Sequence, residues 1–357
     1  MTSTPLGPAS SRTDRGRHMR AEIHEQPHVL TRQFETELGN IRAVAAAVRD
    51  TDPRFALIAA RGTSDHAALY VKYLIETQLG IPCGLASLST YTGYAARPRL
   101  ERCLWLAISQ SGGSPDLIES TRVAGRHGAM TVAVTNAPVS ALAATAQWHV
   151  DIRAGVERSV AATKTYTAEL QALWLLVDAW RGRDGASARG LPEELTHLLG
   201  QDLPPWADGH RLIQRLVTVG RGFSYPTARE GALKMMETSY LAAQAFSGAD
   251  LMHGPLAMLD VDQSAIIVVP PGVGGELLGP VVEHIRQTGA DTLVVGDRDF
   301  AARHGHPAVI PVGTDVPEEL SPILQIVPLQ RLALDLSIAR GLDPDEPRGL
   351  SKVTRTT

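Results

Sequence analysis

From Phe55 onward the chain alternates between two patterns of apolar positions. "RFALIAA" is a short, unbroken apolar run. "TSDHAALYVKYLIETQLG" then spaces its apolar residues at a helical period and closes on Gly80. "CLWLAI" and "MTVAVTN" repeat the short run, and "WHVDIRA" adds another. A long helix is predicted from about Thr163 to Arg181. Apolar strands without polar alternation, separated by helices, predict βα units whose parallel sheet is buried on both faces.

"GRDGASARGLPEEL", rich in glycine and charge, reads as a connection. The pattern then restarts. "RLVTVGRGFSYPTAREGALKMMETSYLAAQ" is strand, glycine turn and helix. "SAIIVVPPG" and "DTLVVGD" are further strands, and "LSPILQIVPLQRLALDLSIARG" is a final helix. Each half opens with a strand running into glycine, at Ala60-Arg61-Gly62 and Val219-Gly220-Arg221-Gly222. This internal repeat predicts two similar α/β domains.

The chain has 357 residues, enough for two domains, and a net charge of −4. That balance argues against a general nucleic-acid-binding surface. Apolar runs such as Ala265 to Val269 are too short to span a bilayer, so no membrane partner is expected. "MTSTPLGPASSRTDRGRH" lacks the apolar core of a signal peptide and reads as a polar tail. Two cysteines, Cys83 and Cys103, imply no disulfide framework, which suits a reducing cytoplasm.

"LWLAISQSGGSPDLIES" ends a strand in a loop of serine, glycine and glutamine and then starts a helix near Pro115. In an open α/β sheet, ligands sit beyond the carboxyl ends of the strands. The glycines let backbone N–H groups converge, and the helix points its positive end at the loop. Ser109, Ser111 and Ser114 supply hydroxyls. Together they predict an anion site suited to phosphate; a flexible loop with Ser114 as a helix cap is the other reading. No Gly-Lys-Ser/Thr follows, which excludes a P-loop for nucleoside triphosphate.

The chain also resembles the sugar isomerase (SIS) domain family. "SQSGGSPD" is similar to its serine-rich phosphate loop. "AEIHEQP", "ARGTSDHA", "GVERSVAATKTYT", "GRGFSYPTAREGALKMMETSY", "DLMHGPLAML", "LSPILQIVPLQRLA" and "DEPRGLSKVTRT" follow in the order seen in the isomerase half of glucosamine-6-phosphate synthases. The resemblance covers residues 20 to 357. It implies two tandem SIS domains, each a three-layer αβα sandwich on a parallel sheet. The boundaries expected are a disordered tail at 1–20, a first domain with an N-terminal helix at 21–195, a second at 196–340, and an active-site tail at 341–357. No counterpart of the synthases' glutamine-hydrolysing half is present, so no ammonia from glutamine is expected. "SGGSPD", "GRGFSY" and "AFSGADLMHGP" look closer to the stand-alone SIS-type deaminases and isomerases.

"REGALKMMETSY" places Glu230, Lys234 and Glu237 at spacings that share one helix face. By charge pattern alone this reads as a solvated face with ion pairs. The resemblance implies instead that Glu237 is the base moving a proton between C1 and C2 of a sugar. A carboxylate doing so is expected to be partly buried. Lys234 then lies near the sugar's reacting end. His253 of "LMHGP" matches a ring-opening histidine that reaches the site of a second subunit, which makes a homodimer obligate. Lys352 matches a lysine that forms a Schiff base with the ketose carbonyl, although the deaminases do not all depend on it. Phosphate contacts carry over to Ser64, Ser109, Gln110, Ser111 and Ser114, and sugar contacts to Val160, Ala162 and Ser351. Ala162 stands where the synthases carry a serine, so one sugar contact is missing.

His24-Glu25-Gln26-Pro27-His28 fits the H-E-x-x-H zinc pattern, which needs an unbroken helix. Pro27 is expected to break it, so no metal site is predicted. "GVGGELLG" from Gly272 lacks Rossmann spacing and reads as a turn into a helix. The resemblance thus implies an enzyme on a hexosamine 6-phosphate, converting glucosamine 6-phosphate to fructose 6-phosphate and ammonia without a cofactor. Alternatives are elimination from N-acetylglucosamine 6-phosphate by the same base, and a non-catalytic sugar-phosphate sensor.

Overall fold

The structure is a computed structural model and describes residues 15–352 apart from positions 307 and 314. The first half runs α1 (Arg17–Thr51), β1 (Phe55–Ala59), α2 (Thr63–Leu79), β2 (Cys83–Leu85), α3 (Leu88–Thr92), β3 (Cys103–Ser109), α4 (Pro115–Arg126), β4 (Met130–Thr135), α5 (Ala141–Thr145), β5 (Trp148–Asp151) and α6 (Lys164–Trp180). Two short helices follow, α7 (Leu191–Leu199) and α8 (Trp206–Gly209). The second half runs β6 (Arg215–Gly220), α9 (Ser224–Ser239), β7 (Ala242–Ser247), α10 (Gly248–Met252), β8 (Ser264–Val269), α11 (Val273–Thr288), β9 (Asp291–Gly296), α12 (Arg298–Arg303), β10 (Val309–Pro311) and α13 (Ser321–Ala339).

Both sheets are parallel throughout. Their orders are β2-β1-β3-β4-β5 and β10-β9-β8-β6-β7. Read by position within each half, these are one order, so the two halves repeat a single topology. Every residue of β3, β4 and β8 is buried, as unbroken apolar strands require. Each large side chain sealed there, such as Leu104, Leu106 or Ile266, contributes about 1.5–3 kcal/mol.

The halves meet through α2 and α6 on one side and α9 and α13 on the other. All of α6 is buried. Phe223, ahead of α9, meets Tyr70 of α2 edge-on, and the Tyr70 hydroxyl donates to the Glu319 carbonyl at 2.5 Å.

Three expectations are corrected. The segment 1–20 is helical from Arg17, because the Asp345 carboxylate accepts the His18 and Met19 N–H groups and anchors the first turn of α1. Residues 1–14 and 353–357 lie outside the described residues. The boundary at 195/196 falls inside α7. Pro27 does not break α1. Its missing N–H would orphan the Ile23 carbonyl, but the Gln26 side-chain amide donates there at 3.0 Å. The helix continues, and the motif's Glu25 pairs with Lys164 at 2.5 Å, while His24 and His28 face solvent.

In this strand order the crevice opens between the first and third strands of each half, where the connections depart in opposite directions. In the first half it lies between β1 and β3, beneath Gly62–Ser64 and Ser109–Ser114. In the second it lies between β6 and β8. There the Glu318 carboxylate accepts the Gly274 N–H at 3.0 Å and fills the loop from within.

Candidate active site

The loop after β3 is shaped by its own hydroxyls. Ser109 Oγ accepts the Gly112 N–H at 3.1 Å, and Ser111 Oγ accepts the Gly113 N–H at 3.3 Å. Each hydroxyl therefore keeps its hydrogen for a ligand. Gly112 sits at φ +61°, and a Cβ there would run into Ser140. Its carbonyl accepts the Leu142 N–H at 3.1 Å, which ties the loop to α5. Ser114 takes the cap position of α4 with Pro115 at the first turn, but its side chain makes no capping bond. The loop thus presents hydroxyls and a helix N-terminus to one cleft.

That cleft holds about 380 Å³. It is lined by Arg61, Thr63 and Ser64 after β1, and by Ser109, Gln110, Ser111 and Ser114 after β3. Val160 and Ala162 before α6, Glu237 of α9, and Ser351 and Lys352 of the C-terminal segment complete it. Residues separated by most of the chain converge on a volume suited to a small molecule. A larger cavity of about 550 Å³ opens beside it, around His66, Arg229 and Phe246, and shares Arg61 and Gly62 with it. The smaller cleft is the one where the chemistry-bearing residues meet.

Glu237 enters from the second half with its side chain 22% exposed, partly buried as expected. Behind it, Lys234 Nζ lies 2.5 Å from Glu237 Oε2 and 3.1 Å from Glu230 Oε1, and donates to Thr63 Oγ1 at 3.2 Å. Glu230 and Lys234 are wholly buried, so the solvated-face reading is wrong. Lys234 does not line the cleft; it sets the position of the carboxylate that does. Glu230 also accepts from the Thr63 hydroxyl at 3.1 Å and lies 2.7 Å from His66 Nδ1. Burial alone would raise the Glu230 pKa, but Lys234 and His66 outweigh it and hold it below the usual range. For Lys234, burial is outweighed by the two carboxylates, and its pKa is raised.

On the opposite wall, Lys352 Nζ donates to Glu157 Oε2 at 2.7 Å and to the Ser159 carbonyl at 2.6 Å. Glu157 also accepts the Thr163 and Thr165 N–H groups at the start of α6, at 3.0 and 3.1 Å, and the Thr165 hydroxyl at 2.7 Å. Burial pushes its pKa up, but Lys352 and these donors dominate and lower it. The adjoining backbone is fixed by Glu22 of α1, which accepts the Ser159 N–H at 3.2 Å and also that of Arg158.

Every sequence-predicted site residue except Lys234 and His253 lines the cleft. His253 is exposed just beyond α10 and does not enter the cleft of its own chain. Sequence reasoning missed Arg61, whose guanidinium pairs with Asp116 at 3.0 Å on the cleft wall, and Glu157, which holds Lys352. It also missed Thr63, and Glu169 beneath Ser64. Arg61 lies two residues beyond the end of β1, which was a usable signal. Among the described residues, no three His, Cys, Asp or Glu side chains are grouped as they would be to hold a metal ion, and no helix is long and apolar enough to cross a membrane.

A SIS domain profile matches residues 51–179 and 213–340, one match on each half. Glutamine–fructose-6-phosphate aminotransferase of Methanothermobacter thermautotrophicus is 35% identical over 349 residues, covering 94% of this chain and 56% of that protein. The Gloeobacter violaceus protein of that name is 37% identical, covering 94% and 58%. The chain therefore spans little more than half the length of these relatives. A Silicibacter pomeroyi protein assigned as a phosphosugar isomerase superposes with a TM-score of 0.85 at 35% identity, covering 92% of this chain and 99% of its own. A glucosamine-6-phosphate deaminase of Thermotoga maritima shares the fold, with a TM-score of 0.73 at 22% identity, covering 95% of this chain and all of its own.

Proposed function

The chain belongs to the SIS domain family, and on that footing we propose that it isomerises and deaminates a hexosamine 6-phosphate, converting glucosamine 6-phosphate to fructose 6-phosphate and ammonia. The observation that carries this is the shared cleft, with a hydroxyl-bearing phosphate loop on one wall and Glu237, backed by Lys234, on another.

Ser109, Gln110, Ser111 and Ser114 grip the phosphate with the N-terminus of α4. This fixes the far end of the sugar and brings C1 and C2 to Glu237. His253 of the partner subunit assists ring opening, which makes the working unit a homodimer. Glu237 removes the C2 hydrogen as a proton, C1–O becomes the enol, and the proton returns to C1. The C2–N bond is now an imine. Water adds to C2, ammonia leaves, and the ketone remains. Val160, Ala162 and Ser351 border the sugar.

Lys352 Nζ is held between Glu157 and the Ser159 carbonyl, an arrangement suited to holding the C-terminal segment over the cleft. A Schiff base would require it to leave Glu157 first.

The test is NMR of the purified protein with glucosamine 6-phosphate and, separately, its N-acetyl form, with ammonia assayed in parallel. Fructose 6-phosphate and ammonia from the free amine are expected. An unsaturated product from the acetylated sugar would move the reaction to elimination by the same base. Binding without turnover of either would overturn the catalytic reading.

A further inference from the structure

Glu157, Glu230 and Glu169 are carboxylates buried behind the cleft wall, and they are not equivalent. Glu157 has Lys352 and three further donors from Thr163 and Thr165, and Glu230 has Lys234, His66 and the Thr63 hydroxyl. Glu169, on α6, has neither. It is 1% exposed. Its Oε1 lies 2.8 Å from Ser64 Oγ, and its Oε2 has no hydrogen-bond partner. Ser64 is in the first turn of α2, where it lines the cleft beside the phosphate loop.

A serine hydroxyl has one hydrogen. If Ser64 gives it to an ionised Glu169, it turns a lone pair toward the cleft and repels an anion. If Glu169 carries a proton and gives it to Ser64 Oγ, Ser64 can give its own hydrogen to the anion. We propose that Glu169 is a positioning residue for ligand binding: as a neutral acid it orients Ser64 to donate to the phosphate, and on ionisation it withdraws that donor. This rests on the sugar-phosphate reading of the cleft and adds a pH limit to it.

The surroundings favour the neutral acid. A carboxylate sealed from water with one neutral partner has little to stabilise its charge. The charges that act on it are those of Glu157 ahead of α6 and Glu230 from α9, both negative, and Tyr166 lies on α6 itself; α2 contributes Tyr70 and His66, and His66 and Lys234 of α9 are both engaged by Glu230. α1 faces α6 with Gln26, Gln33 and Glu25, the last paired with Lys164, and α13 contributes Gln330. Burial foremost, with Glu157 and Glu230 adding to it against the opposing Ser64 bond, pushes Glu169 up to about 8. The proton is therefore present at neutral pH and lost in mild alkali.

The experiment is calorimetric titration of the protein with fructose 6-phosphate from pH 6.5 to 9.5, for wild type, Glu169→Gln and Ser64→Ala. The wild-type dissociation constant should rise about tenfold between pH 7 and 9, as loss of a required proton dictates. Glu169→Gln, a permanent neutral donor, should bind within about threefold of wild type at pH 7 and lose the alkaline fall. Ser64→Ala should bind more weakly, with no alkaline fall. A flat wild-type profile, or the same fall in Glu169→Gln, overturns the inference and leaves the sugar-phosphate reading intact. No wild-type binding at any pH overturns both. If Glu169→Gln does not fold, infrared titration of the wild type decides. A buried carboxylic-acid C=O band should fall with a midpoint near pH 8, above the loss of the Glu22 band near pH 7; the absence of any band titrating near pH 8 overturns the inference.

Discussion

Lys352 Nζ lies 2.7 Å from Glu157 Oε2, across 195 positions of sequence. The carboxylate is wholly buried, while the lysine side chain keeps 24% of its exposure. Glu157 thus joins two jobs, capping the start of α6 and seating the C-terminal segment against the cleft. Glu157→Gln keeps an acceptor for the helix and removes the charge that holds Lys352. Losing one charged hydrogen bond of about 1.5 kcal/mol corresponds to about a tenfold rise in KM for the sugar phosphate. Amide exchange over residues 347–352 should quicken alongside. An unchanged KM with unchanged protection would detach Glu157 from the tail.

Lys234 holds two carboxylates together, and Glu230 is sealed from solvent. Lys234→Met removes the cation and leaves Glu230 with only His66 and Thr63. Breaking a buried pair on one side costs about 3–5 kcal/mol, which urea unfolding will measure. Adding Glu230→Gln should restore part of that loss. A loss below about 1 kcal/mol in the single variant would mean the charges do not depend on one another.

The serine-glycine loop turns at Gly112, where the backbone is left-handed and Ser140 fills the space a side chain would need. Gly112→Ala should leave the overall circular dichroism intact and weaken fructose 6-phosphate binding at least about tenfold, because the loop hydroxyls can no longer converge. Wild-type affinity in this variant would show that the ligand sits elsewhere.

Stability should fall as pH rises from about 6.5 to 8. Glu22 and Glu169 have pKa values raised from 4.5 to about 7 and about 8, so the folded protein keeps protons that the unfolded chain has released. The half-buried His149 and the buried His306 have lowered pKa values and act oppositely, but only below their ordinary 6.5. Glu157 and Glu230, lowered instead, lose their contribution only as pH falls through and below 4.5. Calorimetric Tm values from pH 6.5 to 8 should decline in the wild type and decline less in Glu169→Gln. A Tm that rises across this window would contradict the assigned burial of these acids.

The strands were legible because full burial on both faces leaves an unbroken apolar run, as in β3 and β8. The serine-glycine loop was legible because a strand rarely ends in so many small polar residues without a use for them. Other features depend on which side of a helix faces inward, and spacing cannot tell that. Glu230 and Lys234 have the spacing of a surface ion pair and lie in the interior instead. Pro27 reads as a helix stop because its own missing N–H is visible, whereas the compensating amide of Gln26 belongs to a rotamer. Glu157 and Glu169 gain meaning only from Lys352 and Ser64, far away in sequence.

Glu318 in the crevice of the second half bears on how this molecule counts its ligands. The two halves share one blueprint, yet one crevice carries a resident occupant supplied by the chain itself. The fold is therefore symmetric in its framework and lopsided in its appetite. On the proposed reading the first half takes the ligand, and the second, its own crevice occupied by Glu318, lends Glu237 across the divide. A duplicated architecture then divides its labour unequally.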